Sequence, residues 1–295
     1  MSEITQYFGL KCYDSCLAHI VAEEGGQAEY YFGHMWRIPW GQGQLLGSKL
    51  RFETDIRSLL ERYSGLQGIK TEEMNPDKWK YEKRKYTILE VDTYFYPLHR
   101  LYHVEHTNHF CLYAGIENNM VKVIDPMLSD TIGCIPAEEI RSGFLSSENL
   151  SIENVLCLSG EILRKDIWEY YSKSEDCKNI DRILAYLCED FDLQKEFEGL
   201  RDRKYDIPLY RSLWAIMFSR KLYSDLLSKM SEDYSELICM LESIFEEWQT
   251  IRGQLAKLYY QKRKKLDSDS FEMISNVLNK EKAAYSLNLR LLNGE

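Results

Sequence analysis

The chain has 295 residues, 44% of them hydrophobic and 28% charged, with a formal net charge of -10. That length fits one large domain or two ordinary ones, and the apolar content argues against global disorder. The acidic balance argues against a nucleic-acid backbone or an anionic membrane as the main partner.

Two basic runs, "KWKYEKRKY" (78–86) and "YQKRKKL" (260–266), read as solvated faces or loops. No apolar run approaches the roughly 20 residues that span a bilayer. The opening "MSEITQYFGL" lacks the basic-then-apolar pattern of a secretory signal. The expectation is a cytoplasmic protein. In that compartment the eight cysteines read as reduced thiols rather than a disulfide framework, and no CxxC occurs.

In chain order, "LKCYDSCLAHIVAEEGG" predicts a helix with Leu17, Ile20 and Val21 on its buried stripe. Aromatic, glycine-rich loops follow ("YYFGHMWRIPWGQGQ"). "FETDIRSLLERYSG" predicts a second helix from about Phe52 to Tyr63. "KYTILEVDTYFY", "HFCLYAGIE", "NMVKVIDP" and "VLCLSG" predict strands, being β-branched, aromatic and bounded by turn residues. After Gly160 only Gly199, Gly253, Gly294 and Pro208 interrupt long helical patterns. These patterns predict a bundle of four to six helices. The fold expected is α+β, with a catalytic domain over 1–160 and a helical bundle over 161–295.

Cys12 falls at the start of the first helix, where the macrodipole and free N–H groups favour a thiolate. Cys16, one turn on, reads as a small core residue. Six histidines could serve as base: His19, His34, His99, His103, His106 and His109. His109 stands out because it opens a strand and shares a face with Cys111 and Tyr113. The next strand ends at Asp125, which a hairpin through "IENN" can return to His109 as its orienting group. Gln6, six residues before Cys12, can donate its amide to an oxyanion beside the Cys12 N–H.

Glutamine, helix-opening cysteine, strand-opening histidine and a following acid together resemble the papain-like cysteine peptidases. "CYDSCLA" is most similar to the motif of the bacteriocin-processing C39 peptidases, with Tyr13 where those enzymes have glycine. A closer resemblance is to the butirosin biosynthesis protein H family of acyltransferases. It rests on "KCYDSCLAHIVAEEGG", "YYFGHMWRI", "VDTYFYPLHRLYHVEHTNHFCLYAGIE" and "VKVIDP", within about residues 1–160.

That resemblance implies a papain-like catalytic domain and an amide-forming reaction in natural-product, including antibiotic, biosynthesis. An acyl group would pass from an acyl or peptidyl carrier protein thioester, through Cys12, to a small-molecule amine. No cofactor beyond the carrier's phosphopantetheine is implied. Loops "FGHMWRIPWGQGQ" and "DTYFYPLHRLY" would wall the site.

Three rivals remain at this level. A soluble cysteine peptidase or amidase would use the same residues. A metal protein could use His99, His103, His106 and His109, spaced H-x3-H-x2-H-x2-H. A helical scaffold could carry a degenerate papain-like domain.

Overall fold

The structure, a computed structural model, describes residues 4, 6–7, 9–50, 56–154, 160–200 and 207–294. The chain divides into two compact units: Met1–Tyr31 with Asp55–Leu158, and Phe32–Thr54 with Ser159–Glu295.

The first unit is α+β. Helix α1 (Cys12–Glu23) is buried at every position from Asp14 to Val21, as expected of an interior helix. It packs against α3 (Ile56–Ser64) and against strands of one antiparallel sheet. The strands are β1 (Gln67–Thr71), β2 (Tyr81–Glu82), β3 (Lys85–Asp92), β4 (Asn108–Glu117), β5 (Met120–Ile124), β6 (Gly133–Pro136) and β7 (Phe144–Ser151). Their order is β1-β7-β3-β4-β5-β6, with β2 paired to β3. A short helix, α4 (Ala137–Gly143), links β6 to β7 and adds Ala137 and Ile140 to a core with Leu89, Val91, Cys111 and Val123.

Four of these strands, β1, β2, β6 and β7, lie outside the predicted set. β7 escapes sequence pattern because its middle reads Ser146-Ser147-Glu148-Asn149. Three of its polar side chains find partners inside the fold: Ser146 donates to Glu90, Asn149 accepts from Thr87, and Glu148 accepts from Tyr13 and Arg57. "VLCLSG" falls on 155–160, almost wholly outside the described residues.

The second unit is helical: α2 (Leu46–Lys49), α5 (Gly160–Ser172), α6 (Asp176–Glu189), α7 (Leu193–Glu196), α8 (Pro208–Met230), α9 (Ser235–Tyr260) and α10 (Ser268–Asn293). Helices α8, α9 and α10 pack in succession, and α10 also meets α5 and α6.

Residues 32–54 correct the expected boundary, because they belong to this unit and not to the first. The reason is hydrogen bonding as much as apolar burial. Trp36 Nε1 donates to Glu281 (2.9 Å), Ile38 N to Asp176 (3.0 Å) and Gly47 N to Glu196 (3.1 Å). At Gly47 an added Cβ would lie 2.2 Å from the Leu209 backbone nitrogen, so only glycine lets α2 seat on α8.

Candidate active site

The first helical residue of α1 is Cys12 itself, following an extended Lys11 that offers no side-chain cap. The N–H groups of the first turn therefore have no intrahelical acceptor and face any anion formed there. The Cys12 side chain is half-buried, whereas Cys16 is fully enclosed and donates to the Phe110 carbonyl at 3.7 Å. One thiol is accessible and the other packs.

β4 carries His109 as its second residue, paired with Val91 of β3. The hairpin to β5 turns at Asn118 and Asn119, whose φ values of 50° and 62° are those of a type I′ turn. A register shift between Tyr113 and Gly115 then decides the geometry of the site. Gly115 sits at φ 135°, a conformation that favours glycine. Beyond the shift Leu112 pairs with Ile124, so the next residue, Asp125, falls opposite Cys111. It therefore shares the face of Cys111 and His109. Without the extra residue Asp125 would fall opposite Leu112, on the other face.

His109 Nε2 and Asp125 Oδ2 are 2.6 Å apart, and the two residues are 3% and 1% exposed. With Nε2 held by the carboxylate, Nδ1 is the nitrogen left for the hydrogen bond between His109 and Cys12. Burial opposes the imidazolium, but hydrogen bonds to Asp125 and Cys12, and their charges, outweigh it and raise His109 to about 9.

Asp125 is itself tied down. Leu128 N donates to Oδ1 at 3.3 Å, and the Tyr96 hydroxyl donates to Oδ2 at 3.0 Å. Tyr96 is fully buried, and its ring lies 5.3 Å from that of His109. The sequence pattern places Tyr96 at the end of a strand and in a wall loop, without a role of its own. The aromatic turn "YPLH" after a strand is the available signal, but nothing in it names the hydroxyl's partner.

No protein-family model matches this chain, and no curated protein matches it.

The remaining predicted groups separate. Gln6 is half-buried in the irregular segment ahead of α1, and no hydrogen bond among the described residues ties it to Cys12 or His109. His106 is solvent-exposed, bonded to Asp92 at 2.7 Å and stacked on Tyr94. His103 stacks on Tyr102 and Tyr94. His103 and His106 thus share Tyr94, and no group of three or more metal-ligating side chains converges among the described residues. Tyr13 fills its position by bridging Glu148 (2.8 Å) and Arg57 while its ring meets Phe110 edge-on. Of the two proposed walls, 92–102 borders His109, whereas 32–44 belongs to the helical unit.

Such an arrangement can do nucleophilic acyl chemistry. An accessible thiol sits at a helix N-terminus, a buried histidine bonds to it, and a buried carboxylate fixes that histidine's tautomer.

Proposed function

We propose that the chain is a papain-like cysteine acyltransferase that forms amides. The acyl group comes from a carrier-protein thioester and passes to a small-molecule amine through an acyl-Cys12 intermediate. The observation that carries this reading is the alignment of Cys12, His109 and Asp125. The thioester donor, the carrier protein and the role in natural-product biosynthesis rest on the resemblance of the motifs, and the cytoplasmic setting rests on the apolar and charge pattern of the sequence.

In the first half-reaction the Cys12 thiolate attacks the thioester carbonyl carbon. The Cys12 N–H and the Gln6 amide hold the oxyanion. The bond to the carrier's thiol breaks, and the His109 imidazolium gives its proton to that sulfur. In the second half-reaction the amine attacks the acyl-cysteine and neutral His109 takes its proton. The carbon–sulfur bond to Cys12 then breaks, leaving thiolate and imidazolium as at the start. Asp125 keeps the Nε2–H tautomer throughout, so Nδ1 is always the nitrogen that exchanges protons.

Intact-protein mass spectrometry tests this. The chain is mixed with octanoyl-pantetheine, then with an amine. An acyl mass gain that is absent from Cys12→Ala and discharged faster by amine than by buffer supports the acyltransferase. Discharge by water alone points to a hydrolase with the same triad. No adduct, together with no preferential alkylation of Cys12, would overturn covalent catalysis.

A further inference from the structure

The turn 96–99 after β3 places a second imidazole beside the catalytic one. His99 N donates to the Tyr96 carbonyl at 2.9 Å, which closes the turn. The His99 ring then lies 5.1 Å from the His109 ring, tilted by 45°. Its tautomer is fixed, because Leu101 N donates to His99 Nδ1 at 3.2 Å. Nδ1 is therefore the acceptor and Nε2 carries the hydrogen. Burial, the neighbouring charge on His109 and then Arg100 push its pKa down to about 4, so the ring stays neutral while His109 is charged. His99 is half-buried, and among the described residues no protein group accepts from Nε2.

A fixed, neutral N–H donor at the edge of the site is built to bind a neutral acceptor. Its place beside His109 decides which part of the substrate it meets. His109 gives a proton to the departing thiol and takes one from the arriving amine, so these groups, not the acyl chain, pass over its ring. We infer that His99 is a specificity-determining residue whose Nε2–H binds a carbonyl oxygen on the leaving thiol, such as the amide of a pantetheine-type arm. The turn that carries it is anchored from the other side: Leu98 lies so close to Gly133 that a Cβ there would sit 2.2 Å from its Cδ1. This inference rests on the acyl-transfer reading above and adds recognition of the leaving group to it.

The test uses the full chain and two octanoyl thioesters, one of N-acetylcysteamine and one of hexanethiol. The two leaving groups are similar in length, and only the first has an amide. The rate of acyl-Cys12 formation is read by intact mass, and the ratio of the two rates is compared between proteins, which cancels the thiols' intrinsic difference. In His99→Phe the preference for N-acetylcysteamine should fall about three- to tenfold, the effect of one neutral hydrogen bond. In His99→Gln, which keeps an N–H donor, part of the preference should return.

A ratio unchanged in His99→Phe, with both rates equal to wild type or lowered together, would overturn this inference and leave acyl transfer standing. No acyl-enzyme from wild type with either thioester would overturn both.

Discussion

His109 Nε2 lies 2.6 Å from Asp125 Oδ2, with both residues closed off from solvent. The pair makes the site pH-sensitive on the alkaline side. An unfolded histidine titrates near about 6.5, whereas folded His109 is raised to about 9. A raised group adds stability that is complete below about 6.5 and is lost as pH rises through about 9. Urea midpoints of wild type should fall across that window, and His109→Gln should flatten the fall. The alkaline limb of acyl-enzyme formation should also lie near 9. In Asp125→Asn it should move to lower pH, and kcat/KM should drop by about 10²- to 10⁴-fold. A limb that stays in place would remove Asp125 from its role.

Thiol labelling separates Cys12 from the others. Cys16 and Cys111 are buried, and burial pushes both thiols up. Cys134, Cys188 and Cys239 are exposed but lack a histidine partner among the described residues. At pH 6 iodoacetamide should modify Cys12 at least about tenfold faster than any of these, read by peptide mapping. Equal rates at Cys12 and Cys134 would contradict an activated thiol.

Tyr96→Phe removes one of two side-chain donors to Asp125 Oδ2 and leaves the ring in place. The cost of losing a hydrogen bond to a carboxylate is about 1.5–3 kcal/mol, seen as a lower urea midpoint. Because Leu128 N still holds Oδ1, acyl-Cys12 formation, if the proposed reaction holds, should stay measurable. Wild-type stability in this variant would show that the hydroxyl contributes nothing.

The helical unit has its own polar centre. Glu281, 1% exposed, accepts from Arg220 Nε (2.7 Å), Trp248 Nε1 (2.8 Å) and Trp36 Nε1 (2.9 Å). Glu281→Ala strands the buried Arg220 and should destabilise by about 3–5 kcal/mol. The double variant Arg220→Met/Glu281→Leu removes both charges and should cost less than Glu281→Ala alone in denaturant unfolding. A double variant worse than the single would mean the pair is worth more than its desolvation.

The grouping of Cys12, His109 and Asp125 is more legible than the sheet. Cys12 could be read from a helix pattern, and His109 and Asp125 from two apolar strands with a turn between them. Each signal is local. β7 was not legible because its register beside β3 is stabilised by Ser146, Glu148 and Asn149, whose partners lie far away in sequence. Tyr96 and His99 were visible as an aromatic turn, but their contacts depend on how β3 and β4 align. Gly115 within an apolar strand was a readable hint of a bulge, and hence of the face on which Asp125 falls. Residues 32–44 read as loops of the first domain because their partners, Glu281 among them, come much later.

That last separation bears on synthesis. Trp36 and its acceptor Glu281 are 245 residues apart. At ordinary ribosomal rates of about 5–20 residues per second, Trp36 waits on the order of 10–50 s for Glu281 to be made. All described strands of the sheet emerge before then, so the first unit can fold while residues 32–54 still lack their partners. Gene fragments cut at residue 158 would repeat this state permanently. The front piece would carry Trp36 with no acceptor, and the rear piece would carry Glu281 and Arg220 without the segment 32–54 that completes their core. Expressing the two pieces together, rather than either alone, is the form in which a dissected chain should recover both units.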